Sequence, residues 1–239
     1  MSRARPIVTI DGPAGAGKST VARALARRLG FTYLDTGAIY RAVALTAATR
    51  EPALARRLDG VGQDQKLAPE DERAFAALAG GLDIRFADGG TRILVDGLDV
   101  SREIRTPEVS QRASQVSALP GVRAALLELQ RRIGAEGGVV AEGRDVGSVV
   151  FPGAEVKFFL TADQAERARR RAQELGASGV TVDEGATRAE IAQRDARDAG
   201  RKAAPLVCPP DALRVDSTTR TAEEVVDAML QAVNARHRS

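Results

Sequence analysis

Apolar residues along this chain fall in short runs separated by longer amphipathic stretches. Residues 6–10, PIVTI, form a run that predicts a buried strand. A glycine-rich turn follows, then a helical pattern over Lys18–Leu29 that Gly30 ends. Residues 31–34 predict a short second strand. Over 38–49 the apolar Ile39, Val43, Ala44 and Ala47 recur at helical spacing. Further strands are expected at 138–141, 156–160 and 213–215, and helices at 122–133, 163–175, 188–199 and 222–235. Strands alternating with helices predict an α/β fold built on a parallel sheet.

Two stretches break this rhythm. Between residues 82 and 100, LDIRF, TRILV and LDV are separated by ADGG and DG, both hairpin signals. Antiparallel strands inside a parallel pattern imply a small inserted subdomain. Residues 176–185, GASGVTVDEG, lie between two highly charged helical patterns and read as a mobile flap and not a packed element. Residues 50–67 receive no assignment, and there is no internal repeat or low-complexity tract.

The glycine-rich turn carries chemistry. Gly12-Pro13-Ala14-Gly15-Ala16-Gly17-Lys18-Ser19 satisfies G-x-x-x-x-G-K-[ST], straight after a strand and opening a helix. Such a loop curls so that its N–H groups, with those of Thr20 at the helix start, converge on phosphate oxygens. The helix adds the positive end of its dipole. Lys18 supplies a mobile charge, and the Ser19 hydroxyl is a Mg²⁺ ligand. Only Lys18, Lys66, Lys157 and Lys202 are lysine among the 35 basic residues, so lysine at this position is a selective feature. The alternative is a strand-to-helix turn without a ligand.

Composition then removes several chemistries. Cys208 is the single cysteine, which excludes an intramolecular disulfide and a cysteine-based zinc cluster. His237, the single histidine, lies near the end of the chain, so mechanisms needing a histidine base or a Ser-His-Asp triad are disfavoured. A net charge of +3, 3% aromatics and no tryptophan leave few stacking platforms for single-stranded nucleic acid. No apolar run approaches the roughly 20 residues of a membrane helix. The run at 6–10 ends at Asp11, too early for a signal peptide. A monomer in the cytoplasm is expected, binding neither nucleic acid nor membrane.

The loop alone leaves kinases, GTPases and transport ATPases open. An N-K-x-D guanine motif is absent, as is an LSGGQ-like segment, and Asn234 is the sole asparagine. Several further motifs are more specific. Asp35-Thr36-Gly37-Ala38-Ile39-Tyr40-Arg41, Ser114-Gln115-Val116 and Glu142-Gly143-Arg144-Asp145-Val146-Gly147 resemble motifs of the bacterial cytidylate kinases. So do Val149-Val150-Phe151-Pro152 and the stretch from Arg194-Asp195 through Arg201 to Ala204-Pro205-Leu206. Ser148 stands where that family has threonine.

The resemblance implies a P-loop kinase over residues 1–239 with a doubly wound parallel sheet. It also implies an inserted monophosphate-binding subdomain at 68–119 and a lid at 168–189. It implies ATP as phosphate donor, Mg²⁺, and CMP or dCMP as acceptor. Thr36, Tyr40, Arg41 and Arg144 are expected around the acceptor phosphate, with Ser114, Arg123 and Asp145 reading cytosine. Asp198 is expected on the ribose, Arg194 and Arg201 bridging the phosphates, and Arg167, Arg170 and Arg171 bringing lid charge onto the transferring phosphoryl.

The chemistry agrees with that allocation. A phosphate-monoester acceptor is already ionised at neutral pH, so no strong base is needed. The difficulty is repulsion between anions, which planar arginine forks and Mg²⁺ offset. Individual residues have plainer readings. Arg194, Asp198 and Arg201 share one helical face and could form an ion-pair ladder. Two other activities stay open: a kinase for another small molecule, and a nucleotide switch or nucleic-acid-stimulated ATPase.

Overall fold

A computed structural model describes residues 3–59, 67–177, 183–200 and 204–237. β1 (Ile7–Asp11) is buried along its whole length, as its apolar run requires. It leads into α1 (Lys18–Leu29), whose Val21, Ala22, Leu25 and Ala26 face the core. Gly30 ends α1 in the left-handed conformation, its N–H returning to the carbonyls of Ala26 and Arg27. β2 (Thr32–Asp35) runs directly into α2 (Thr36–Arg50), because Asp35 caps the helix by accepting from the Ala38 N–H.

α3 (Pro52–Asp59) and α4 (Pro69–Gly81) follow, then β3 (Ile84–Ala87), β4 (Arg92–Val95) and β5 (Leu98–Asp99). α5 (Pro107–Val116) and α6 (Pro120–Ile133) both start on proline, where its missing N–H costs nothing. The chain continues through β6 (Val139–Gly143), a wide turn at Val146–Val150 and β7 (Val156–Thr161). It ends with α7 (Gln164–Ala177), α8 (Glu184–Gly200), β8 (Leu213–Asp216) and α9 (Ala222–His237).

Residues up to Tyr33 and from Glu136 onward form one compact unit. Among the described residues its sheet has the order β2-β6-β1-β7-β8. β1 pairs in parallel with β6 on one side (Ile7 opposite Val139) and with β7 on the other (Val8 opposite Val156). β7 pairs in parallel with β8. The chain therefore winds outward from β1 in both directions, and the strand order reverses at its carboxyl end. Ligands of open α/β sheets bind at that place. Val8, Ile10, Leu25, Val140, Phe158, Leu160, Val225 and Met229 form the core, with α1 and α9 packed against each other.

The second unit is Leu34–Ala135. Its three strands pair antiparallel in the order β3-β4-β5, and Asp96-Gly97 turns β4 into β5 with positive φ at both residues. α4 packs on α6 and α2 on α5, burying Phe75, Ile104, Val116 and Leu126. The insertion expected at 68–119 is narrower than this unit, which also takes in α2, α3 and α6. The reason is packing: the apolar side of α4 (Phe75, Ala79) needs α6, and that of α5 needs α2. Of the flap expected at 176–185, Gly176 and Ala177 complete α7 and Glu184 and Gly185 open α8. Residues 178–182 lie outside the described residues.

Candidate active site

The carboxyl end of β1 delivers the loop Gly12–Gly17. Gly15 adopts φ +75, and a Cβ there would stand 2.9 Å from the Arg167 carbonyl oxygen. Glycine is thus required both by the conformation and by the close approach of α7. Lys18 is buried, and its Nζ donates to the Pro13 carbonyl at 2.7 Å. Burial and the charges of Arg144 and Arg194 push the Lys18 ammonium well below its ordinary pKa. Glu142 and Asp198 offset part of this. Ser19 is half-buried and Thr20 exposed in the first turn of α1.

Arg144 and Asp145 follow β6 immediately. Arg144 Nε donates to Asp198 Oδ2 of α8 at 2.7 Å. Asp198 therefore reaches a different element, which a ladder along α8 alone does not explain. Arg194, also on α8, is pushed down to about 10 by burial, with Arg144 adding repulsion. Lys18, Arg144 and Arg194 form a partly desolvated group of like charges, and an anion relieves it. Asp145 is buried. Arg201 lies outside the described residues.

The arginines of α7 divide by role. Arg170 donates to Glu166 at 2.8 Å and to the Ser217 hydroxyl and carbonyl at 3.0 and 2.6 Å. Its Nη1 lies 3.6 Å from where a Cβ on Gly17 would stand, which places it beside the loop. Arg171 pairs with Glu174 at 2.9 Å. Arg167, expected to bring charge to the transferring group, is instead buried and bound. It donates to the carbonyls of Ala162 and Ala14 at 3.0 and 3.1 Å and to Asp195 at 2.6 Å. Its position at the start of α7, against the phosphate loop, leaves it bracing the backbone.

Three side chains that sequence reasoning did not single out shape this region. Asp11 accepts from the Val146 and Gly147 N–H groups at 2.8 and 2.7 Å, and so seats the turn that carries Arg144 and Asp145. Ser217, just past β8, lies 3.2 Å from the Ala16 carbonyl. Asp195 anchors Arg167. The local hints were Asp11, a carboxylate closing an apolar strand, and Asp195, which stood in the Arg194-Asp195 motif without a role.

In the Leu34–Ala135 unit a second group gathers at the start of α2. Thr36 and Tyr40 are buried. Arg41 donates to Asp35 at 2.7 Å, and Arg105 stands 3.1 Å from the same carboxylate oxygen. The Arg123 guanidinium lies over the Tyr40 ring, 5.7 Å from its centroid, and donates to the Ser117 carbonyl at 3.1 Å. Ser114 is half-buried near the end of α5. Among the described residues no cluster of three or more His, Cys, Asp or Glu is arranged to hold a metal, and no helix is long and apolar enough to cross a membrane.

Several known proteins are similar to this chain. The cytidylate kinase family model matches residues 8–235. A cytidylate kinase of Geobacter sp. (strain M21) is 50% identical over 232 residues, 96% of this chain and 93% of its own. One from Vibrio cholerae is 46% identical over 238 residues, 99% of each chain. In fold, an uncharacterized protein from Eubacterium ventriosum is similar with a TM-score of 0.50 at 12% identity, over 97% of this chain and 99% of that one. This chain belongs to the cytidylate kinase family.

Proposed function

We propose that this chain transfers the γ-phosphate of ATP to CMP or dCMP, giving ADP and CDP or dCDP. The observation that carries the site assignment is the cationic set of buried Lys18 with half-buried Arg144 and Arg194 beside a complete phosphate loop. Cations held together at such cost need anionic ligands, and the reaction brings two phosphate groups together. Gly12 to Thr20 hold the β- and γ-phosphates of ATP. Arg144, Arg194 and Arg201 offset the charge on the transferring phosphoryl, with Arg170 at the loop's edge. Thr36, Tyr40 and Arg41 bind the acceptor phosphate, Ser114, Arg123 and Asp145 read cytosine, and Asp198 takes ribose hydroxyls.

Mg²⁺ fits this donor set. A small hard cation of this kind would need few protein ligands, and the Ser19 hydroxyl would be one. Bound there, it neutralises phosphate charge. The acceptor is ionised before it reacts, so the chain's residues bind, orient and exclude water without a general base. A working monomer in the cytoplasm, acting on small molecules and binding neither nucleic acid nor membrane, completes the reading. Residues 168–189 act as its lid, and 68–119 are the inserted part of the monophosphate site.

The test is ADP formation from ATP and Mg²⁺ with CMP, dCMP, UMP, AMP and GMP offered separately. Fast turnover with CMP and dCMP and little with purines is expected. Lys18→Ala and Arg144→Ala each lower kcat about a hundredfold or more while remaining folded, with Arg144→Ala less stable because it strands the buried Asp198. An absence of acceleration by any monophosphate, with ATP binding intact, overturns the activity.

A further inference from the structure

Asp35 does more than end a strand. Its Oδ1 accepts from the Ala38 N–H at 2.9 Å and caps α2. Its Oδ2 accepts from Arg41 Nη2 at 2.7 Å and stands 3.1 Å from Arg105 Nη2. Arg105 comes from the turn Glu103–Arg105 that precedes α5, so two elements distant in sequence send guanidinium groups to one oxygen. The carboxylate is buried, yet the two arginines and the Ala38 amide hold it below the usual carboxylate range. It stays ionised, and the trio keeps a surplus positive charge.

One donor in the trio is unused. Arg41 Nε is buried with no hydrogen-bond partner. The guanidinium is folded back on the first turn of α2, its Nη1 3.1 Å from where a Cβ on Gly37 would stand. A buried, unpaired guanidinium donor costs free energy that a ligand acceptor recovers. Two positive forks on one carboxylate, one of them with a spare donor, match a phosphate monoester. The plainer account makes Arg105 a tether that holds its turn to α2.

We propose that Asp35 is a positioning residue that gathers Arg41 and Arg105 into one clamp, and that Arg105 is a further ligand of the acceptor monophosphate. This rests on the acceptor role given to Arg41 above. The Arg105 side chain is 45% exposed, so its truncation leaves no core cavity. Arg105→Ala is expected to raise KM for CMP about tenfold or more, with KM for ATP and the melting temperature unchanged. Cytidine, used as a phosphate-free competitor, should inhibit the variant as it inhibits the parent. Arg105→Lys should fall between, keeping charge without the fork. Asp35→Asn retains a good helix cap but loses the charge that gathers the arginines, so KM for CMP rises again.

An unchanged KM for CMP in Arg105→Ala overturns the clamp, as does equal weakening of CMP and cytidine, the mark of a tether that shapes the whole pocket. A parent enzyme inert towards CMP overturns the activity itself and the clamp with it. An active parent with an indifferent Arg105→Ala overturns the clamp alone.

Discussion

Burial and hydrogen bonding pull the Asp11 carboxyl in opposite directions. Burial wins and raises it from 3.8 to about 6, against the pull of the Val146 and Gly147 amides. Between these values the folded protein holds a proton that the unfolded chain has released. Asp11 therefore contributes stability below about pH 4 that is lost as pH rises through 6. Asp35 has the opposite sign, its contribution present above the ordinary carboxylate pKa and lost as pH falls through its lowered value. A carboxyl ¹³C NMR titration should place the Asp11 midpoint near 6; a midpoint below 4 means that the two amides dominate. Gly147 offers a steric test in the same turn. A Cβ there would stand 2.7 Å from Thr9 Oγ1 and 3.2 Å from Asp11 Oδ2. Gly147→Ala should cost about 1–3 kcal/mol in a urea melt and lower kcat, because the turn that moves carries Arg144. Wild-type stability would show that the turn relaxes freely.

At the scale of elements, α7, α8 and the segment after β8 shape the phosphate loop from outside. In a trans peptide, C=O and the next N–H point opposite ways. Arg167 on the Ala14 carbonyl therefore turns the Gly15 amide away from α7, while the Ser217 hydroxyl has the Thr161 and Ala16 carbonyls at 3.0 and 3.2 Å for its one proton. Arg167→Met keeps bulk but strands Asp195 and the Ala14 carbonyl. It should cost about 3 kcal/mol of stability and raise KM for ATP more than KM for CMP. Equal effects on both substrates would reduce Arg167 to a general core brace. Such contacts explain what was legible in the sequence. The phosphate loop, the five strand runs of the parallel sheet and the Asp-Gly hairpin are local patterns, and each is found within a few residues of its expected bounds. α3, α4 and α5 were not anticipated, because their buried faces are narrow and are defined by the helices they pack on. Asp11 meets Val146 across 135 positions and Ser217 meets Ala16 across 201, so no window of sequence displays either pair. The motif around Arg144 was legible as chemistry, whereas the reason it stands where it does was not.

At the scale of the whole molecule, the chain enters the Leu34–Ala135 unit at the end of β2 and returns to the first unit before β6, so one continuous insertion carries a second group of arginines, Arg41, Arg105 and Arg123. The phosphate loop belongs to the first unit, and Asp35, Tyr40, Arg41, Arg105 and Arg123 to the second. That division predicts where each substrate leaves its mark. A ligand that binds only the folded state stabilises it by mass action, about 2.7 kcal/mol at a hundred times Kd. Amides in contact with the ligand, or in elements that it ties down, exchange more slowly. A non-hydrolysable ATP analogue with Mg²⁺ should slow amide exchange in the phosphate loop and α1 while leaving α4 and β3–β5 unchanged. CMP alone should slow exchange in the first turns of α2 and in α5 and α6, and Arg105→Ala should weaken that protection at the same CMP concentration. Hydrogen exchange read by mass spectrometry resolves these segments. If CMP protects only residues from Glu136 onward, acceptor recognition belongs to the first unit, and the group around Asp35 is a structural knot of the second.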